Sequence, residues 1–284
     1  MPKDIMQKRK ISRHRKLFPW IIKRIKPLLM TTLKVYVILT IVAYFITPLV
    51  LFQPPAATKT YDPNEFTIKN QSHSISAVYL QDNKNRYTIL YSHGNAADLH
   101  QLKPWIVNLY QHGYNVLAYD YDGYGHSQGR TSENNCYADS TLAYNYLIKT
   151  KHIQPRDIIL MGHSMGTGVT TKLAAQVSVG GVILQSPMLS IYRIITHFPL
   201  FYPDYFPSYR YINKIHAPIL IIHGTADQNI PFYHGKKLYH LANQPKTFIS
   251  VQGAGHNNIS SVLGGKYFEI IRKFTNNLEI ISKR

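Results

Sequence analysis

Cysteine and the common metal-binding and nucleotide-binding motifs are scarce or absent in this sequence. Only one of its 284 residues is a cysteine, Cys136, which excludes an internal disulfide framework and a Cys-x-x-Cys metal site. The HExxH pattern, the P-loop and the GxGxxG fingerprint are also missing. The sequence therefore predicts no metal, no nucleotide and no other cofactor.

Acidic residues are few, and their shortage is uneven along the chain. There are 14 acidic residues against 32 lysines and arginines, which gives a formal net charge of +18. Residues 1–34 hold eleven of these basic residues and one acidic residue, and a hydrophobic stretch follows at once. This distribution is typical of a segment that flanks a membrane. Since no nucleic-acid-binding motif accompanies the charge, we expect no nucleic-acid partner.

The hydrophobic stretch is long enough to cross a bilayer. Residues 35–52 carry no charge, and only Lys34 interrupts the apolar run back to residue 28. A membrane-spanning helix needs about 20 such residues. We therefore predict a basic segment at 1–27, a transmembrane helix at 28–52 in contact with the lipid bilayer, and a linker at 53–63. A cleaved signal peptide and a buried core helix are the alternatives.

The basic flank also predicts how the chain is oriented in the membrane. Positively charged segments stay on the cytoplasmic side. The sequence therefore predicts a single-pass protein whose N-terminus is cytoplasmic. Its remaining residues would then lie on the opposite, periplasmic or extracytoplasmic, side.

From residue 64 to residue 284 the pattern is that of one α/β domain. Segments 66–70 and 74–80 predict a hairpin at a sheet edge, and later apolar runs alternate with helical patterns, as in a parallel sheet. The later predicted strands are 87–92, 115–119, 158–161, 182–185, 219–222 and 247–251. The predicted helices are 99–111, 133–149, 167–179, 235–242 and 262–278. We expect an eight-stranded, mostly parallel sheet flanked by helices.

Residues 187–218 break this rhythm and are rich in tyrosine, phenylalanine and proline. Such a long connection in a compact domain is often a lid or a binding loop. The sequence predicts a short aromatic lid, and an irregular excursion packed on the domain is the alternative. The candidate substrate-binding residues in it are Phe198, Phe201, Tyr202 and Tyr205.

A G-x-S-x-G pattern at residues 162–166 follows the predicted strand 158–161 and precedes a helix. In this context the pattern is typical of a nucleophile elbow, in which the serine occupies a strained turn. Gly162 and Gly166 lack the side chains that would collide there. The pattern predicts Ser164 as a nucleophile, and the backbone N–H of Met165 as a donor to an oxyanion.

A serine nucleophile needs a base, and the base needs an orienting acid. In α/β sheets these partners follow later strands, in the order acid and then histidine. Asp227 comes just after strand 219–222, and His256 just after strand 247–251. We predict Asp227 as the acid and His256 as the general base, with His126 as a less favoured alternative base.

A second oxyanion donor is expected from the loop after strand 87–92. The sequence there is Ser92-His93-Gly94-Asn95-Ala96, and Gly94 allows the backbone to approach a substrate closely. The backbone N–H of Asn95 is the candidate donor.

Residues 87–275 resemble the α/β-hydrolase superfamily, and more narrowly the Bem46-type hydrolases and the ABHD17-type protein depalmitoylases. The motifs that carry the resemblance are SHGNA at 92–96, DYDGYGHSQG at 120–129, GHSMG at 162–166, HGT at 223–225 with Asp227, and GAGHN at 253–257. The resemblance implies a serine hydrolase whose triad is Ser164, Asp227 and His256. In the depalmitoylase group it implies thioesterase action on S-acyl cysteines.

Together these features predict a membrane-anchored serine hydrolase that cleaves carboxylic esters or thioesters through an acyl-enzyme. The aromatic segment and the apolar helix favour a lipid-like substrate with an apolar acyl group. A serine peptidase of aminopeptidase type and a non-catalytic interaction protein on a hydrolase fold are the alternatives. The oligomeric state stays open.

Overall fold

The structure is a computed structural model that describes residues 3–56, 62–71, 73–196, 201 and 204–282. By its internal contacts the chain divides into two compact units, Met1–Leu49 and Val50–Arg284.

Most of the first unit is a single helix. Helix α1 runs from Lys3 to Leu51, and its part from Lys23 to Leu51 is long and apolar enough to cross a membrane. Large apolar side chains between Leu28 and Val50 are exposed, as a lipid-facing helix requires. A signal sequence near an N-terminus meets the same criteria of length and composition.

The second unit is built on an eight-stranded sheet in the order β1-β2-β4-β3-β5-β6-β7-β8. The strands are β1 Glu65–Lys69, β2 Ser74–Leu80, β3 Thr88–Ser92, β4 Asn115–Tyr119, β5 Ile158–His163, β6 Gly181–Gln185, β7 Ile219–Gly224 and β8 Lys246–Val251. β1 and β2 pair antiparallel, β2 pairs antiparallel with β4, and the remaining neighbours are parallel. The predicted mostly parallel sheet with an edge hairpin is confirmed.

Both faces of the sheet are covered, which explains why the central strands are apolar along their whole length. Successive side chains of a strand point to opposite faces. Helix α4, Met165–Ala174, covers one face, and helix α8, Lys266–Ser282, covers the other. In β5, Ile159 packs into the layer with α8 residues such as Phe274, and Leu160 packs into the layer with α4 residues such as Val169.

The other helices of this unit are α2 Leu99–Gln111, α3 Glu133–Asn145, α5 Tyr192–Ile195, α6 Tyr233–Leu241 and α7 Ile259–Leu263. The prediction of one helix over 262–278 is wrong. The chain forms α7 and α8 instead, because Gly264 has φ 55° and ends the first of them.

The segment 187–218 has two different parts. Its early part contains the short helix α5, and its later part packs into the core through Phe206, Ile212 and Ile215. A Cβ atom on Gly168 of α4 would lie only 2.7 Å from Phe206 Cβ, so the two segments are in close contact. The predicted lid residues Phe198 and Tyr202 lie outside the described residues.

Candidate active site

The backbone at Ser164 has the geometry of a nucleophile elbow. Ser164 lies between β5 and α4 with φ 54° and ψ −122°, a conformation that costs energy for any residue with a side chain. A Cβ on Gly162 would lie 2.6 Å from Gly166 O, and a Cβ on Gly166 would overlap Ser92 O. The two glycines are therefore required by the tight packing of strand against helix.

The structure brings Ser164, His256 and Asp227 together. The distance from Ser164 Oγ to His256 Nε2 is 2.8 Å, and that from His256 Nδ1 to Asp227 Oδ2 is also 2.8 Å. A carboxylate only accepts hydrogen bonds, so Nδ1 carries the proton and Nε2 accepts from the serine hydroxyl. This arrangement prepares the hydroxyl to lose its proton to the imidazole.

The loop after β7 holds Asp227 as an anion. Its Oδ1 accepts hydrogen bonds from the backbone N–H groups of Asn229, at 3.0 Å, and Ile230, at 2.8 Å. Burial raises the pKa of the Asp227 carboxyl, but hydrogen bonds with His223, His256 and Ile230 outweigh burial and hold that pKa well below its ordinary value. Asp227 therefore stays charged beside the imidazole at neutral pH.

His223, at the end of β7, is a member of this network to which sequence reasoning gave no role. Its imidazole is fully buried, and Nε2 lies 3.0 Å from Ile230 O and 3.3 Å from Asp227 Oδ2. A carbonyl oxygen only accepts, so Nε2 carries a proton that faces both oxygens. His223 lies at a strand end, four residues before the predicted acid. This position is the sequence signal from which its role could have been predicted.

His163, the second residue of the G-x-S-x-G pattern, is also part of the site. Its Nε2 donates to the backbone carbonyl of His256 at 3.3 Å, and the two rings are 5.1 Å apart. The surrounding protein and the neighbouring His256 lower the pKa of His163 to about 4. The neutral ring adds no positive charge beside His256, and its hydrogen bond helps to fix the loop that carries it.

The two predicted oxyanion donors lie next to the serine. Met165 opens α4, so its N–H belongs to the first turn of a helix, where anions are stabilised. A Cβ on Gly94 would lie 3.3 Å from Ser164 Cβ, which shows how closely the loop of Asn95 approaches Ser164. Met165, Asn95 and Ser164 line the same cavity.

The side chain of Asn95 is fixed by three hydrogen bonds that sequence reasoning did not find. Its Oδ1 accepts from the backbone N–H of Gln53 at 3.0 Å and from the Tyr124 hydroxyl at 2.6 Å, and its Nδ2 donates to the Leu51 carbonyl. These bonds join the loop 93–95, which follows β3, to the short segment 51–53 and to the loop after β4.

The cavity at Ser164 has a volume of about 630 Å³, within the range of small-molecule sites. Of its lining residues that the structure describes, none is acidic, and seven have large apolar side chains. These seven are Leu51, Leu102, Met165, Met188, Ile191, Ile194 and Ile230. The cavity is suited to an apolar group attached to a carbonyl at Ser164.

Those aromatic residues predicted to bind substrate that the structure describes lie outside the cavity at Ser164. Phe201 and Tyr205 both pack on Tyr192, and neither lines the cavity. The residues of segment 187–218 that line the cavity are instead Met188, Ile191 and Ile194. His126, the alternative base, lies with Nδ1 2.7 Å from Glu65 Oε1 and is not in the relay.

Comparison with known proteins gives relatives over most of the chain. Human alpha/beta hydrolase domain-containing protein 17B is 38% identical over 214 residues, which cover 73% of this chain and 73% of that protein. Alpha/beta hydrolase domain-containing protein 17C from Xenopus tropicalis is 41% identical over 195 residues, which cover 67% of this chain and 62% of that protein.

A family model and solved structures agree with this result. Residues 83–203 match the Hydrolase_4 model, described as serine aminopeptidase, S33. The Pyrococcus furiosus esterase Pf2001 aligns with a TM-score of 0.66 at 20% identity, over 79% of this chain and 98% of the esterase. An alpha-beta hydrolase from Vibrio vulnificus aligns with a TM-score of 0.61 at 25% identity, over 74% of this chain and 80% of that one. The chain therefore belongs to the α/β-hydrolase family and is of the alpha/beta hydrolase domain-containing protein 17 type.

Proposed function

We propose that this α/β hydrolase is a membrane-anchored serine hydrolase that cleaves carboxylic esters or thioesters with an apolar acyl group. The observation that carries the proposal is the continuous relay Ser164–His256–Asp227, with both links at 2.8 Å, at the edge of a cavity with apolar walls. Acyl-protein thioesters are among the substrates that this chemistry accepts.

The first half of the reaction forms an acyl-enzyme. Ser164 Oγ bonds to the substrate carbonyl carbon while its proton moves to His256 Nε2. The carbonyl oxygen becomes an oxyanion, which the backbone N–H groups of Asn95 and Met165 stabilise. The bond to the leaving alcohol or thiol then breaks, and His256 returns the proton to that group.

The second half releases the acid. Water attacks the acyl carbon and gives a proton to His256, and the oxyanion forms again in front of the same amides. The bond from the carbon to Ser164 Oγ then breaks, and His256 returns the proton to Oγ. Asp227 keeps its charge throughout and stabilises the imidazolium that appears in each half.

The walls of the cavity support an apolar acyl group. The side chains of Met188, Ile191 and Ile194 face the same space as Ser164, together with Leu51 and Leu102. Burying an alkyl group against them is favourable by about 0.8 kcal/mol per methylene. We therefore expect kcat/KM to rise with acyl chain length up to the capacity of the cavity.

A peptidase of aminopeptidase type is the second candidate, because the matching family model carries that description. Binding a free α-amino group calls for an acidic side chain near the scissile bond. The lining residues that the structure describes include no aspartate or glutamate. For this reason we place esters and thioesters ahead of peptides.

The test combines an active-site probe with a substrate panel. A fluorophosphonate should label the wild-type protein and should not label Ser164→Ala. Ser260→Ala, which changes a partly buried serine on α7, is the control and should be labelled as the wild type is. Matched p-nitrophenyl esters from acetyl to palmitoyl, acyl-thioesters and aminoacyl amides then rank the substrates. Failure of folded wild type to react would favour a non-catalytic interaction protein, and a strict preference for acetyl esters would contradict an apolar acyl site.

We further propose that the helix predicted at 28–52 anchors the chain in the bilayer up to about residue 50, since Leu51 lines the cavity of the second unit, with 1–27 as a basic cytoplasmic segment and 53–63 as a linker. The domain from 64 to 284 then lies on the opposite side of the membrane. The apolar, exposed helix Lys23–Leu51 and the basic residues before it support this orientation. Retention of the protein in membranes after alkaline carbonate washing tests the anchor. Paired C-terminal reporters, one active only inside and one only outside the cytoplasm, test the orientation.

A further inference from the structure

Three ionisable side chains form a cluster away from the cavity at Ser164. His73 precedes β2, Asp122 lies in the loop after β4, and Asp139 lies in the middle of α3. Because β2 runs antiparallel to β4, the start of one and the end of the other lie side by side. The fold therefore brings together residues from three separate parts of the sequence, none of which lines the cavity.

The distances within the cluster are short. His73 Nδ1 lies 3.3 Å from Asp122 Oδ2 and 3.3 Å from Asp139 Oδ1. One ligand-type atom from each residue lies within 4.8 Å of the other two. The Asp139 side chain is fully buried, that of Asp122 is 7% exposed, and that of His73 is 18% exposed.

When both carboxylates of the cluster are ionised, their charge is not balanced without a further cation. In the part of the chain that the structure describes, the two carboxylates have His73 as their ion-pair partner and no lysine or arginine. Even a protonated His73 would leave one negative charge uncompensated. Buried charges in proteins are paired or coordinate metal ions, because isolating them from water is costly.

The buried oxygens also have unused hydrogen-bonding capacity. Asp122 Oδ2 accepts from Asn135 Nδ2 at 3.0 Å, and Asp139 Oδ2 accepts from the Asp122 N–H at 2.9 Å. These bonds fix both carboxylates in place. In contrast, Asp139 Oδ1, Asp122 Oδ1 and His73 Nδ1 are buried and have no hydrogen-bond partner. Asp139 Oδ1 faces the imidazole nitrogen directly.

We propose that His73, Asp122 and Asp139 form a binding site for a divalent transition-metal ion, with Zn²⁺ as the best match. Zinc binds imidazole nitrogen and carboxylate oxygen at about 2.0–2.1 Å in tetrahedral geometry, which places two ligands about 3.3 Å apart. The two measured distances agree with this value. One imidazole and two carboxylates balance the charge of Zn²⁺, and water completes the coordination on the exposed side of His73.

Metal binding at this site is coupled to protons and to folding. The ligand atoms must be deprotonated to coordinate an ion, so binding releases any proton they hold to the solvent. The ion would also join the start of β2, the loop after β4 and α3, so its binding stabilises the fold.

The experiment uses the full chain in detergent micelles, stripped with a chelator and dialysed. Elemental analysis after equilibration with a zinc buffer should find one Zn²⁺ per chain, and titration calorimetry in two buffers should detect proton release. Saturating Zn²⁺ should raise Tm by about 5 °C, whereas Mg²⁺, which disfavours imidazole, should not. These readouts do not depend on hydrolase activity, so failure of the proposed function would leave this result intact.

Conservative variants separate this site from the other histidines. Asp139→Asn keeps the size of its side chain and can still accept from the Asp122 N–H, and His73→Asn is smaller but keeps a polar amide in place of the imidazole. Both should fold, lose the bound zinc and lose the Tm shift, while His216→Asn at an exposed position should keep them. The proposal is overturned if wild type binds no zinc, if both variants bind it as wild type does, or if Mg²⁺ gives the same shift.

Discussion

The side chain of Asn95 offers a way to test the proposed oxyanion donor, which is the backbone N–H of the same residue. Asn95→Ala keeps the backbone N–H but removes all three bonds that hold the loop, those with Leu51, Gln53 and Tyr124. Such bonds contribute about 1 kcal/mol each, so the loop loses about 3 kcal/mol of restraint. We therefore predict that Asn95 acts as a positioning residue through its side chain.

The expected effect on catalysis has an upper bound. Complete loss of one oxyanion donor lowers kcat by about 10²- to 10³-fold. Because the alanine variant still has the amide, we expect kcat to fall about 10- to 100-fold. KM should change little, since the donor acts on charge that develops in the transition state. Tyr124→Phe removes one of the three bonds and should lower kcat by about 5-fold.

The assay is steady-state hydrolysis of the best ester from the substrate panel, with the melting temperature measured on the same samples. Asn276→Ala, at an exposed position on α8, is the matched control and should have wild-type kcat. If Asn95→Ala retains full kcat, the side chain does not position the donor. A lower Tm with unchanged kcat would assign these bonds to stability alone.

Three further predictions concern the relay and the elbow. Asp227→Asn should lower kcat by about 10⁴-fold in ester hydrolysis, because the amide favours the wrong imidazole tautomer, and a loss below 10-fold would contradict the relay. The pKa of Asp227 is lowered in the folded state, so its stabilising effect is full above its ordinary value of 3.8 and is lost as the pH falls below it. Urea unfolding should then show a wild-type advantage over Asp227→Asn that shrinks from pH 6 to pH 3, and a constant difference would refute this. Gly166→Ala should cost about 3 kcal/mol of unfolding free energy because its Cβ would overlap Ser92 O, while Gly265→Ala, with open space around it, should cost less than 1 kcal/mol.

The sheet was predictable because its signals are local. Each central strand is a short apolar run, such as Ile219–Gly224, and such a run buried on both faces leaves a clear pattern in the sequence. The elbow was equally clear, since its G-x-S-x-G pattern lies within five residues and directly follows a strand pattern, although Gly166 is required by its contact with the distant Ser92 O. The order of strands and loops then placed Asp227 and His256 near each other without any knowledge of distances.

What the sequence did not reveal are contacts between distant segments. The bonds from Asn95 to Leu51 and Gln53 span more than 40 residues and involve backbone groups, which leave no pattern in side-chain type. His223 and His163 were visible within motifs, but their roles depend on which oxygen each ring faces. The break between α7 and α8 was missed because the apolar spacing continues across Gly264, while the backbone there does not.

The ten residues from Asp120 to Gly129 contact the loop that contains Asn95 and also contribute to the proposed metal site. Tyr121 OH donates to His93 O at 2.9 Å and Tyr124 OH donates to Asn95 Oδ1, so both tyrosines hold the loop 93–95. Asp122, between them, belongs to the cluster with His73 and Asp139. Any ligand that restrains Asp122 therefore restrains a segment that also positions the loop of the proposed oxyanion donor. A short, glycine-rich turn can serve both sites because β3 and β4 are neighbours, and their carboxyl ends open onto the same edge of the sheet.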